Sequence, residues 1–179
     1  MRKKKKQKLK EQQFWGTFAY FSKPQLPDSI PTHLERVNFR IWNHVDDEQI
    51  EMMVTHVQSI NMLDLDETEI TNYSIQLLTK LSFIKELRLK GCNEIDDDAM
   101  THLNNIKGLE LLHIDGTSIS IKGVLQLRAD HPLRMLLIRV DDPEQHLSDL
   151  TTIAQRFPDC ELIVNHKSFT IKKEDGWSM

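Results

Sequence analysis

Three acid clusters are the first candidates for chemistry: Asp46-Asp47-Glu48, Asp96-Asp97-Asp98 and Asp141-Asp142-Pro143-Glu144. Carboxylates at this density can hold a divalent cation. The D-x-[DN]-x-[DN]-G-x5-E spacing of a calcium loop is nevertheless absent. Each cluster stands just before an apolar-periodic stretch. There an Asp caps the first N–H groups of a helix, further acids complement its dipole, and Pro143 suits a first helical turn. The histidines His33, His44, His56, His102, His113, His131, His146 and His166 are scattered, without the clustering that a zinc site needs. Cys92 and Cys160 form no C-x-x-C pair, and no G-x-S-x-G, P-loop or GxGxxG segment occurs. The expectation is a chain without catalytic residues, metal or cofactor, and therefore not an enzyme.

The elements that would position any site are set by a repeat. Leu63-Asp64-Leu65 is followed 24 residues on by Leu87-Arg88-Leu89, then by Leu112-His113-Ile114, Leu136-Leu137-Ile138 and Leu162-Ile163-Val164. Upstream, Phe39-Arg40-Ile41 stands 24 residues before Leu63, which makes six copies. After the strand-like core come Thr68, Cys92 and Thr117, then Ile70, Ile95 and Ile119. Helical spacing follows, with Ile75, Leu78, Leu81 and Ile84 in one unit and Ala99, Leu103, Ile106 and Leu109 in the next. The period thus switches from two to about 3.6 within each unit. A lone strand–helix unit cannot bury its apolar face, whereas stacked copies share a continuous core. Cys92, at the tight turn, reads as a structural residue rather than a reactive thiol.

Leu87 to Ala99 follows an L-x-L-x-x-C-x-x-I-x-D-x-[GA] pattern, and Leu63 to Thr71 and Leu112 to Ser120 give its threonine variant. In this the chain resembles the cysteine-containing leucine-rich-repeat family, found in F-box-type adaptor proteins and their bacterial relatives. The resemblance spans residues 37–166. It implies an α/β fold, a short leucine-rich-repeat solenoid with parallel strands on the concave side and helices on the convex side.

Side chains alternate along a strand, so the middle residue of each L-x-L unit faces away from the core. The expected outward columns are Arg40, Asp64, Arg88, His113, Leu137 and Ile163; Trp42, Asp66, Lys90, Asp115, Arg139 and Asn165; and Asn38, Met62, Glu86, Leu111, Met135 and Glu161. Arg40–Asp64–Arg88 and Asp66–Lys90–Asp115–Arg139 alternate in sign, at strand spacings that allow either a self-satisfied ladder or a charged docking surface. Leu111, Met135, Leu137 and Ile163 form an apolar patch, left open for a partner or covered by residues 167–179 with Phe169, Ile171 and Trp177. The function expected is non-catalytic binding of a protein partner through Arg40, Trp42, Asp64, Arg88, Lys90, Leu111, His113, Met135, Leu137 and Arg139.

The chain has 179 residues, 39% hydrophobic and 28% charged, which is room for one domain with a real core. Its net charge of −4 is divided unevenly. Residues 1–11 hold seven Lys/Arg against Glu11, a net of +6, while the remaining 168 residues, with 16 basic and 26 acidic, sum to −10. An acidic body disfavours nucleic acid as the partner. Residues 1–36 stand apart as a basic, aromatic segment, 37–166 as the repeat domain, and 167–179 as a tail or cap. Phe14, Phe18 and Phe21 share one helix face, and Pro24, Pro27 and Pro31 end that helix. This segment reads either as a cap on the array or as an anchor. In the anchor reading Lys3, Lys4, Lys5 and Lys6 meet an anionic membrane surface while Phe14, Trp15 and Phe18 sit among the headgroups. Phe14-Trp15-Gly16 ahead of a short cysteine-type array, with Phe157-Pro158-Asp159-Cys160-Glu161-Leu162 at its end, is also similar to the mitochondrial ATP synthase coupling factor B (subunit s) family. That likeness implies a membrane-associated assembly or coupling factor. The compartment expected is the cytoplasm, with a mitochondrial or peripheral-membrane location as the alternative.

Overall fold

In the computed structural model residues 2–22 and 30–171 are described, with side chains for 4–20 and 30–171. Helix α1 (Arg2–Ser22) precedes a strand–helix alternation. It runs β1 (His33–Asn38), α2 (Asp47–Val54), β2 (Ser59–Asp64), α3 (Asn72–Leu78), β3 (Phe83–Arg88), a 3-10 turn (Asp97–Ala99) continuing into α4 (Met100–Leu103), β4 (Leu111–His113) and α5 (Ile121–Val124). It ends with β5 (Met135–Ile138), α6 (Leu147–Arg156), β6 (Glu161–Val164) and β7 (Lys167–Ser168). The fold is α/β. One sheet of seven strands lies in chain order, parallel from β1 to β6, with β7 antiparallel to β6.

Each strand contributes alternate residues to the core: Val37 and Phe39, Leu63 and Leu65, Leu87 and Leu89, Leu112 and Ile114, Leu136 and Ile138, Leu162 and Val164 are all buried. The same core takes Ile50 and Met53 from α2, Ile75 and Leu78 from α3, Leu103 from α4 and Ile153 from α6. Helices therefore occupy one face of the sheet and leave the other open. After β2, β3 and β4 the chain turns at the same relative position, through Glu67, Gly91 and Gly116, all at positive φ of 62°, 74° and 75°.

The first strand lies in a different register from the one its spacing suggests. Val37 pairs with Leu63 and Asn38 with Asp64, so the first unit is Val37-Asn38-Phe39. Burial decides this: Val37 is 1% exposed and Ile41 54%. Arg40 therefore moves out of the Asp64 column and stands level with Asp66. Trp42 leaves the columns and packs on Phe39, at a ring distance of 4.9 Å. The strand begins at His33, four residues ahead of the expected domain start. Two helices are also shorter than their apolar spacing suggests. Ile84 lies on β3, while Ile106 and Leu109 belong to the connection into β4.

The acid clusters divide. Asp46 and Asp96 cap as expected, accepting the N–H groups of Glu48 and Asp98, and Gln49 completes a capping box with Asp46. Asp142 does not cap α6: it accepts the Gln145 N–H in a preceding turn that includes Pro143, and α6 starts only at Leu147.

Candidate functional site

The open face presents three columns. In register they are Arg36, Met62, Glu86, Leu111, Met135 and Glu161, then Asn38, Asp64, Arg88, His113, Leu137 and Ile163. The third follows the strands' C-terminal ends: Arg40, Asp66, Lys90, Asp115, Arg139 and Asn165. The sheet thus brings together Asp64, Arg88, Lys90, Leu111, His113, Met135, Leu137 and Arg139 of the expected site, with Arg40 displaced by one column and Trp42 outside it.

The alternating charges form only part of a ladder. Arg139 Nε donates to Asp115 Oδ1 at 2.8 Å, and His166 lies 3.5 Å from the same carboxylate. Arg40 pairs instead with Glu67 at 2.9 Å, and Arg88 lies 3.7 Å from Glu86 on its own strand. Asp66 accepts the Lys90 backbone N–H at 2.8 Å, and among the described residues no cation lies within 4.0 Å of it. Three titratable groups are nearly enclosed here: Asp66 at 5% exposure, Asp115 at 2% and His113 at 9%. Burial pushes the Asp66 carboxyl up against the restraining Lys90 N–H, and the charge of Asp64 adds to the rise. Burial also lowers the His113 pKa, although Asp66 and Asp115 pull the other way. Both ring nitrogens of His113 are enclosed without a hydrogen-bond partner.

Beside this polar centre Leu111, Met135, Leu137 and Ile163 are each half-buried and contiguous across β4–β6. The chain beyond β6 does not cover them with its described residues. Asn165 and His166, at φ of 50° and 66°, make a two-residue hairpin turn into β7. Ser168 then pairs with Ile163, and Phe169 donates its N–H to Leu162 and packs against the core. Trp177 lies outside the described residues.

Cys92 is fully buried. Its thiol donates to the Leu65 carbonyl at 3.1 Å, and burial raises its pKa. Among the described residues no group of three or more His, Cys, Asp or Glu side chains is placed to hold a metal.

The expected anchor residues separate into two sets. Phe14 and Phe18 are buried, at 5% and 0% exposure, and pack with Trp42 and Phe39. Trp15 is half-buried beside Phe18 and His56. In the folded chain α1 therefore closes the β1 end of the core, and Phe14 and Phe18 are not available to a membrane. Lys4, Lys5, Lys6 and Lys8 are exposed, Lys10 pairs with Glu48 at 2.7 Å, and the side chain of Lys3 lies outside the described residues. Pro24 and Pro27 also lie outside them. No helix among the described residues is long and apolar enough to cross a membrane. Comparison with family models gives no match, and comparison with curated proteins gives none either.

Proposed function

We propose that this chain is a short leucine-rich-repeat solenoid whose open, concave face binds a protein partner without catalysis. The observation that carries the reading is the Leu111, Met135, Leu137 and Ile163 patch. These four apolar side chains stay partly in solvent on a face whose other residues are mostly polar or charged. Contiguous exposed apolar surface with a polar rim is the pattern of an interaction site. Six parallel strands in chain order, with β2, β3 and β4 followed by a turn at the same relative position, support the repeat architecture. The test is cross-linked capture from native lysate with the full chain and with the Arg88→Glu/Leu137→Asp double variant. Loss of a specific captured protein, with melting and helical content unchanged, is the expected result. Equal capture by both proteins overturns the reading.

A second reading, a peripheral membrane factor like the coupling factor B family, is favoured by the exposed Lys4, Lys5, Lys6 and Lys8 alone. It predicts salt-sensitive co-sedimentation with vesicles containing phosphatidylserine, lost when those four lysines become glutamine.

A further inference from the structure

Among the described residues, two carboxylates near the centre of the open face stand without an ion pair. Asp64 and Asp66 stand two residues apart on the same side of the sheet, and among the described residues neither has a cation within 4.0 Å. Each already accepts one backbone N–H, from Asp66 and Lys90 respectively, which leaves further acceptor capacity on both. His113 adds two ring nitrogens that are enclosed and without a partner. Three arginines of the face pair with other carboxylates. Arg139 holds Asp115, Arg40 holds Glu67, Arg88 leans toward Glu86, and Lys90 offers Asp66 its backbone rather than its ammonium. Next to this centre lies Leu137, the register neighbour of His113.

We propose that the partner places a basic side chain at Asp64, Asp66 and His113, and an apolar side chain of the same segment on Leu137 and Met135. The proposal rests on the open-face reading above and gives the partner's chemistry. An ammonium or guanidinium supplies only donors, which matches two carboxylates and the single acceptor nitrogen of a neutral imidazole. The −10 charge of residues 12–179 steers such a partner toward the body. From β2 to β5 is three strand spacings, roughly 14 Å. An extended segment of about four residues spans that distance, so the recognised pattern is Lys/Arg-x-x-x-Leu or its reverse.

The test is a titration of the 15N-labelled full chain with acetyl-Lys-Ser-Gly-Ser-Leu-amide. The same peptide with Glu or norleucine in place of Lys serves for comparison. The expected result is that the Lys peptide shifts the amides of Asp66, Lys90, His113 and Leu137, and that the other two peptides bind at least tenfold more weakly. Asp66→Asn and the half-exposed Asp64→Asn each weaken the Lys peptide severalfold, whereas Asp141→Asn, at an exposed site off this face, leaves it unchanged. Equal binding of the Glu or norleucine peptide, shifts elsewhere on the chain, or no shift at millimolar peptide overturns the basic anchor. Partner capture by the Leu137→Asp chain judges the face separately. Capture that depends on Leu137 while the Lys peptide fails removes the anchor and keeps the face; capture indifferent to the open-face substitutions removes both.

Discussion

Asp97 grips Ser120 across successive strand–helix units, its two oxygens accepting the Ser120 N–H at 2.7 Å and the hydroxyl at 2.6 Å. Asp47 holds Thr71 in the same way, at 2.9 and 2.7 Å, and accepts the Ser74 hydroxyl as well. Ser120 and Thr71 are themselves the N-caps of α5 and α3. One unit's carboxylate thus fixes the residue that starts the next unit's helix. The neighbouring units are coupled by directed hydrogen bonds as well as by shared core.

Gly123 is the residue this grip requires. A Cβ there would lie 2.1 Å from Asp97 Oδ1, a carboxylate held by two hydrogen bonds and not free to swing away. Gly123→Ala is expected to destabilise the chain by about 1–3 kcal/mol, as overpacking does. In an Asp97→Ala background the same substitution is expected to be close to neutral, because the carboxylate clash is gone, only the Ile119 Cγ2 contact at 3.1 Å remains, and Ala exceeds Gly in helix propensity by about 1 kcal/mol. Urea unfolding of the four proteins in a double-mutant cycle measures this coupling. Additive effects would mean that the carboxylate moves aside.

Phe18 is fully buried, with its ring 6.1 Å from Phe39 and 6.2 Å from Trp42. Phe18→Ala is expected to cost about 3–5 kcal/mol, the range for a large side chain removed from a packed core. Lys5→Gln, exposed on the same helix, should stay within about 0.5 kcal/mol. A loss for Phe18→Ala no larger than that of Lys5→Gln, by chemical denaturation, would mean that α1 does not close the core in solution.

Most of the strand pattern is legible in the sequence because L-x-L pairs recur every 24 to 26 residues and the apolar spacing changes from two to about 3.6 after them. Strands β2 to β6 stand where Leu63, Leu87, Leu112, Leu136 and Leu162 place them. The first strand misleads because Ile41 offers an apolar residue at the right spacing, and sequence gives no sign that Trp42 turns inward on Phe39 and α1. Asp142 misleads similarly, since an acid before an apolar run reads the same whether it caps a helix or an isolated turn. The site residues are legible as columns, but their state is not. Burial of Asp66 and Asp115 on a nominally exposed face depends on neighbouring strands, as does the failure of Arg88 to reach Asp64. The Asn165-His166 hairpin carries no glycine to mark it.

His113 and His131 give the fold a pH dependence of definite sign. Burial lowers both below the ordinary 6.5. Their folded pKa values lie below the unfolded value, so the unfolded chain binds the extra protons first. Stability is therefore full above about 6.5 and declines as pH falls from there through the folded values. Urea midpoints between pH 7.5 and 5 should fall, and His113→Gln and His131→Gln should each flatten the curve. Ring-proton titrations of the two residues by NMR should have midpoints under 6.5. Midpoints at or above that value would remove both groups from the account.

The two thiols should be slow for different reasons, and their kinetics separate burial from ionisation. Cys160 is half-buried, and burial together with the charge of Glu161 pushes its pKa up to about 11. The thiolate is the reacting form. Labelling of Cys160 by a disulfide reagent should therefore climb nearly tenfold for each pH unit between 7 and 9. Cys92 has no exposed surface, and its thiol is hydrogen-bonded to Leu65 O. Its labelling must wait for the core to open, so its rate should follow stability: faster in Phe18→Ala and faster in dilute urea, with Cys160 little changed by either. The Cys92→Thr variant should remain folded, since Thr68 and Thr117 fill equivalent turns and donate to Leu65 O and Ile114 O. Rapid labelling of Cys92 in the native chain at pH 7 would contradict a structural role and mark it as an accessible thiol.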